Sequence, residues 1–276
     1  MSDNLPGGGD DMRLVQLFVH PVKSMRGNAV GQWDVEVQGM TDDRRWMVVD
    51  ERHRFVTGRL VPAISRCLAL VTGDGLRLEH DGQVFDVDTP ATGRPVDVVV
   101  WSDTVQAFDA GDGVADWLSD QFGRSLRLVW QADPRSRPLA EKRRATPDDV
   151  VSFADGYPLL AMTTASLAEL NGRLELPVTA RNFRPNLVID TETPFEEDGW
   201  HTIDVGGVPF RAISPCSRCI FTTVDPATGQ KREDREPLAT LSGYRRDAET
   251  GKILFGVNLI PLETGRIGVG DPVSLR

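Results

Sequence analysis

From Leu14 to Phe108 the apolar positions come in short runs and alternations, the pattern of strands rather than helices. Leu14-Val15-Gln16-Leu17-Phe18-Val19 is a compact apolar run that stops at His20-Pro21, which predicts a buried strand. Trp33 to Gln38 alternates, and Trp46-Met47-Val48-Val49 is a second continuous run. Short strands are expected at Cys67 to Thr72, Leu76 to Glu79 and Gln83 to Val87, divided by Gly-Asp and Asp-Gly turn signals. Val98 to Trp101 and Val105 to Phe108 complete the set. Strands this short and evenly spaced point to a barrel or sandwich and away from a dinucleotide-binding sheet.

The period then lengthens. Asp112 is expected to cap a helix whose apolar face is Val114, Trp117, Leu118 and Phe122, ending near Gly123. A strand follows at Ser125 to Trp130. Asp133 to Asp149 carries Pro134, Pro138, Pro147 and charges of both signs, and reads as a surface linker at a domain boundary. Beyond it, Thr164 is expected to cap a helix through Leu167, Leu170 and Leu174. Strands are expected at Asn186 to Asp190, Thr202 to Val205, Val208 to Ile213 and Ile220 to Val224, the last followed by the turn residues Asp225 to Gly229. Leu238 to Arg245 reads as a short helix, and a Gly-Asp turn leads into a final strand ending at Leu275. The expected organisation is a leader over residues 1–12, a β-barrel-like domain over 13–132, a linker over 133–149 and a second domain over 150–276. The class is mixed, β-rich α+β, with a few helices.

Composition narrows the function. Of 276 residues 40% are hydrophobic and 26% charged, as in an ordinary soluble globular protein. Lys and Arg number 31 against 41 Asp and Glu, a net charge of −10. That charge disfavours nucleic acid and anionic membrane as partners but leaves room for a local basic pocket. No run approaches the roughly 20 apolar residues of a membrane span. Met1 to Met12 is rich in Gly and Asp and lacks the apolar centre of a signal peptide, so it reads as a flexible leader. Three cysteines are too few for a disulfide framework, and a reducing, cytoplasmic setting is expected.

Two cysteines stand together in Cys216-Ser217-Arg218-Cys219. Such a pair can chelate zinc, form a redox disulfide, leave one thiolate to act alone, or pack as two ordinary buried thiols. Zinc would need further ligands, and only Cys67 and four isolated histidines (His20, His53, His80, His201) remain. Arg218 beside Cys219 would favour its thiolate, a soft ligand suited to a soft or high-valent metal. Lys23-Ser24, leaving the first strand, can hold a phosphate or can be a solvated loop. Arg59 after Thr57-Gly58 has the same two readings. The arginines and amides of Arg181-Asn182-Phe183-Arg184-Pro185-Asn186 suit a planar polar ligand.

Read jointly, His20-Pro-Val-Lys-Ser24, Asp43-Arg-Arg-Trp46, Val56-Thr-Gly-Arg59, Asn182-Phe-Arg-Pro-Asn186, Ser217-Arg-Cys219 with Thr222-Thr-Val-Asp-Pro226, and Gly270-Asp-Pro272 resemble the MOSC family, the molybdenum cofactor sulfurase C-terminal domain. They follow that family's order from about Leu14 onward, with its N-terminal β-barrel partner in front of the MOSC β-barrel domain. The likeness is strongest to the amidoxime-reducing branch of mitochondria and its bacterial counterparts. It implies a molybdenum ion on a pyranopterin dithiolene (Mo-molybdopterin), with Cys219 as the protein ligand and catalytic residue. Lys23, Ser24 and Arg59 match positions that hold the pterin and its phosphate. Asp155, Arg184, Asn186 and Ser217 match positions around the cofactor.

Met25 stands where many relatives carry cysteine, and Gly156-Tyr157 where mitochondrial relatives have Thr-Ser, which leaves backbone N–H groups in place of hydroxyls. The activity implied is reduction of N-hydroxylated, N-oxide or S-oxide small molecules by oxygen-atom abstraction. Electrons would come from a separate ferredoxin- or cytochrome-type donor with its reductase. Persulfide sulfur transfer on Cys219 and non-catalytic cofactor carriage are the rival readings.

Overall fold

The leading apolar run forms the strand Arg13–Val19 in the computed structural model, which describes residues 12–139 and 144–276. The leader expected over 1–12 therefore lies outside the described residues, except for Met12. A bulge between Leu14 and Gln16 explains why burial along this strand does not alternate cleanly. Its partner is distant: Leu17 faces Leu187 of the antiparallel strand Leu187–Asp190.

These two strands belong to a sheet of eight. Its order is Val273–Leu275, Thr202–Val205, Val208–Ser217, Leu254–Pro261, Leu159–Thr163, Leu187–Asp190, Arg13–Val19 and Asn28–Ala29. Leu159–Thr163 and Leu187–Asp190 run parallel, joined by a crossover that carries the helix Thr164–Asn171. A smaller sheet also mixes early and late chain, with Gly265–Gly268 on Gln32–Glu36 and then Gly39–Met40. Leu14, Leu17, Val35 and Met40 consequently share one core with Ile189, Phe210, Leu259 and Ile267. Each such side chain contributes on the order of 1.5–3 kcal/mol by leaving water.

Two further sheets stand in the first half. One is Trp46–Val49, Arg127–Trp130, Asp103–Asp109 and Pro95–Val100; the other is Leu68–Val71, Gly75–His80 and Gln83–Asp88. The strands expected from Trp33 to Trp130 are present, with ends shifted by at most three residues. The result is a strand-rich fold with three α-helices among the described residues and sheets curled as half-barrels. Among the described residues, no helix is long and apolar enough to cross a membrane.

Four local expectations need correction. Gly111, not Asp112, holds the cap position of the helix Asp112–Phe122, and Asp112 pairs with Arg127 at 2.8 Å instead. This helix does end at Gly123, which takes a left-handed φ of 65°. Thr163, not Thr164, caps the next helix by accepting the Ser166 N–H at 3.2 Å, and that helix stops at Asn171, short of Leu174. Ile220–Thr223 is a 3-10 turn and not a strand. Thr222 causes this locally, since its N–H and its hydroxyl both donate to Cys219 O, at 3.0 and 2.9 Å.

The strands Leu159–Thr163 and Leu254–Pro261 were not anticipated, and both are central in the large sheet. The stretch from Asp133 is held down at Arg137, which is buried and donates to Ser152 O at 2.9 Å and to Asp103 at 2.7 Å. Residues 140–143 of that stretch lie outside the described residues.

Candidate functional site

The loop after the first strand is pinned by its apolar residues and so presents its polar ones. Val22 and Met25 are fully buried in the first-half core. Lys23 N–H donates to Trp46 O at 2.8 Å and Met25 N–H to Val22 O at 3.1 Å, which turns Ser24 into the left-handed region at φ 69°. Lys23 is only 5% exposed. Its ammonium donates to Phe153 O at 2.7 Å and to the Asp155 carboxylate, and stands 5.6 Å over the Phe55 ring. Burial lowers its pKa from the ordinary lysine value, with Asp155 opposing that shift.

Asp155 collects the cations. Arg59 reaches within 3.9 Å of its carboxylate while lying over the Trp101 ring at 4.6 Å, and Trp101 Nε1–H donates to it at 3.3 Å. Enclosure disfavours this carboxylate's charge, but Lys23 first, then Arg59 and Trp101, outweigh that and hold it well below the usual range. Its side chain is still 63% exposed, so the group sits at the mouth of the site.

A second set of contacts ties the two halves together. Arg44 ion-pairs with the buried Asp43, donates to Asn186 Oδ1 at 3.0 Å and to Arg184 O at 3.1 Å. Asn186 is fully buried: its amide donates to Phe18 O at 3.2 Å and accepts from Leu160 N–H at 3.2 Å. Both ends of that side chain are committed to the frame. Arg184 takes a φ of 56°, donates to Met25 O and lies 5.7 Å over the Phe221 ring, while its Nη2 is buried without a partner. Burial first, and then the like charge of Arg44, bring its pKa down to about 9. Ser24, Arg44, Trp101 and Arg184 all adopt positive φ without being glycine. Such strain persists only where surroundings over-determine it.

Cys219 stands at the start of the turn Ile220–Thr223, half-buried and free. Arg218 does not turn to it as its place in the sequence suggested. It donates to Cys216 Sγ at 3.1 Å and to Phe183 O at 2.6 Å. The turn is joined to Arg184's segment by Asn182, which donates to Thr222 O at 3.3 Å. It is joined to Arg59's loop by Phe221, whose ring would lie 2.2 Å from a Cβ on Gly58.

Of the residues singled out by sequence, Lys23, Arg59 and Asp155 are brought into direct contact, and Arg184 and Asn186 are linked by Arg44. Ser217 is exposed at the end of its strand. Ser24, Ser217 and Cys219 have side chains that are not engaged by hydrogen bonds to described residues. Arg44, Trp101, Phe153 and Phe221 were missed as site residues. Only Arg44 had a signal, its place in the Asp43-Arg-Arg-Trp46 motif. Among the described residues no three His, Cys, Asp or Glu side chains gather as a chelating group.

Comparison with known proteins gives two family matches: a MOSC N-terminal beta barrel domain over residues 11–125 and a MOSC domain over 148–274. The chain is 34% identical to mitochondrial amidoxime-reducing component 1 of Homo sapiens, over 95% of this chain and 82% of that protein. It is 35% identical to the Danio rerio protein of the same name, over 94% and 83%. A molybdenum cofactor sulfurase of Oryza sativa subsp. japonica is 30% identical over 90% of this chain, which spans 32% of that protein.

Proposed function

Since the chain belongs to the MOSC family, with the N-terminal barrel domain and the MOSC domain both present, we propose that it is a molybdenum-cofactor-dependent reductase of N-hydroxylated compounds. The observation that supports this most directly is the meeting of Lys23, Arg59 and Asp155, with Arg184 bonded to Met25 O in the Lys23 loop and the turn of the free Cys219 packed on Arg59's loop through Phe221.

The residues fit such a group. A phosphorylated pterin needs cationic donors inside an acidic protein, and Arg184 Nη2 is a buried donor with no partner. Lys23, Ser24, Arg59, Arg184 and Ser217 would hold the pterin and its phosphate, together with the backbone at Asp155. Cys219 would ligate the metal. When bound, the cofactor supplies two-electron oxygen-atom transfer, with electrons from a separate ferredoxin- or cytochrome-type protein.

The remaining work falls to the protein. Asp155 opposes the loss of charge that burial favours at Lys23. Arg44 and Asn186 fix the backbone at Arg184, so its guanidinium is aimed before any ligand arrives. Phe55 and Trp101 each lie against one of the two cations, Lys23 and Arg59, and hold it by cation–π contact.

Molybdenum content and benzamidoxime reduction with an artificial donor test this reading on wild type and Cys219→Ser. Wild type should carry the metal and turn over, and the variant should lose activity by about a hundredfold or more. Full activity of metal-loaded Cys219→Ser would sink the proposal. Persulfide on Cys219 in a metal-free wild-type protein, seen by intact mass, would point to sulfur transfer instead.

A further inference from the structure

A cavity of about 500 Å³ lies behind the Cys219 turn, and its lining contains Arg184 but not Lys23, Arg59, Asp155 or Cys219. Arg26 and Arg181 line it, and neither has a carboxylate partner among the described residues. Arg181 donates to Gly27 O at 2.8 Å and lies 5.0 Å over the Phe18 ring, so its guanidinium is held in place. The nearness of Arg26 adds to burial in lowering the pKa of Arg181, as expected of two like charges with no acid between them.

Of the other charges on the wall, Arg232 and Asp225 are already engaged. Arg232 is paired through two donors with Asp234 at 3.0 and 2.6 Å, and Asp225 accepts the N–H groups of Ala227 and Thr228 in its own turn. His20, also lining the cavity, is buried and stays neutral because burial pushes its pKa well down. Its Nδ1 and Arg184 Nη2 are both buried without partners. The rings of Phe18 and Phe221 give the cavity flat apolar walls.

The cavity thus carries a guanidinium held in place at Arg181 and a second, solvent-reaching one at Arg26, and neither is paired with an acidic residue among the described residues. An oxyanion placed between them would satisfy both with charge-assisted hydrogen bonds. We propose that this cavity binds a small organic anion, a carboxylate or a phosphate ester carried on a flat apolar body. The site is separate from the cofactor cradle and meets it only at Arg184.

Calorimetric titration of the full chain at low salt tests this with 2-naphthoate and with adenosine 5′-monophosphate, against uncharged 2-naphthalenemethanol and adenosine. One of the two anions should bind once per chain, about tenfold or more tighter than its uncharged counterpart, and which one does so separates carboxylate from phosphate. Arg26→Gln and Arg181→Gln should each weaken it by about tenfold, while Cys219→Ser leaves it unchanged. Arg26 is exposed, so its substitution reads binding even where Arg181→Gln disturbs packing on Phe18. No saturable binding of either anion would overturn the proposal. So would binding that survives Arg26→Gln but is lost in Arg59→Gln, because the anion would then sit in the cofactor cradle. The cofactor reading can fail without touching this result, since no metal or turnover enters the measurement.

Discussion

His20 is a histidine that the fold refuses to let charge. It is buried, its Nε2 faces Pro185 O at 3.1 Å, and burial followed by the charges of Arg184 and Arg44 keeps its pKa well below 6.5. An unfolded chain binds that proton near pH 6.5, and the folded chain binds it only at lower pH. The neutral ring therefore contributes stability that is complete above about pH 6.5 and is lost as pH falls from there through the depressed folded value. Denaturant unfolding of wild type and His20→Gln at several pH values from 7.5 downward checks this. The wild type should lose ground to the variant below pH 6.5, by up to about 1.4 kcal/mol per pH unit. Curves that stay parallel would show that His20 is not the group responsible. Lys23 differs in having a carboxylate beside it that opposes the same effect of burial.

The turn that begins at Cys219 is positioned by contact across the molecule as well as by its own hydrogen bonds. Phe221 lies flat against Gly58, where any side chain would intrude on the ring at 2.2–2.3 Å. Gly58→Ala should therefore lift the turn from Arg59's loop and cost about 1–3 kcal/mol in thermal or denaturant unfolding. An unchanged melting temperature would mean that the ring is free to move aside. Sequence reading failed at this turn because Ile-Phe-Thr-Thr-Val has the composition of a strand, while the Thr222 bond to Cys219 O decides the local shape. It also failed at Leu159–Thr163, a wholly buried run that blends into the following helix without a change of period. Strands bounded by Gly-Asp and Asp-Gly turns were legible, because the turns punctuate them. Lys23 and Arg59 stood in motifs, whereas Asp155 was marked only by the resemblance. Arg44's bracing of Arg184 was not, since it spans 140 positions and leaves no local trace.

At the scale of the whole molecule, the two sequence halves share one core. The strand Arg13–Val19 and the residues Val35 and Met40 complete the cluster built on the late strands, so residues 150–276 alone would expose much of it. Produced by itself, that segment should be insoluble or lack dispersed amide resonances, whereas the full chain gives a folded spectrum. A well-dispersed spectrum from 150–276 would show that the early strands are dispensable to the later half. Loss of the early strands would also remove Lys23, so a fold-competent late segment could offer at most half of the proposed cradle.

The same pairing has a consequence for how the chain is made. Arg13 donates to Gly270 O, a residue 257 positions later, and Leu14 N–H donates to Asp271 O. At about 5–20 residues per second, translation leaves the first strand waiting roughly ten seconds to a minute for those partners to emerge. For the early part of that interval Leu14, Leu17 and Phe18 form an apolar ribbon whose only native neighbour is the short strand Asn28–Ala29, until Leu187–Asp190 emerges. The nascent chain thus has to keep its first strand from the wrong neighbours until Leu187–Asp190, and then Gly270 and Asp271, have left the ribosome.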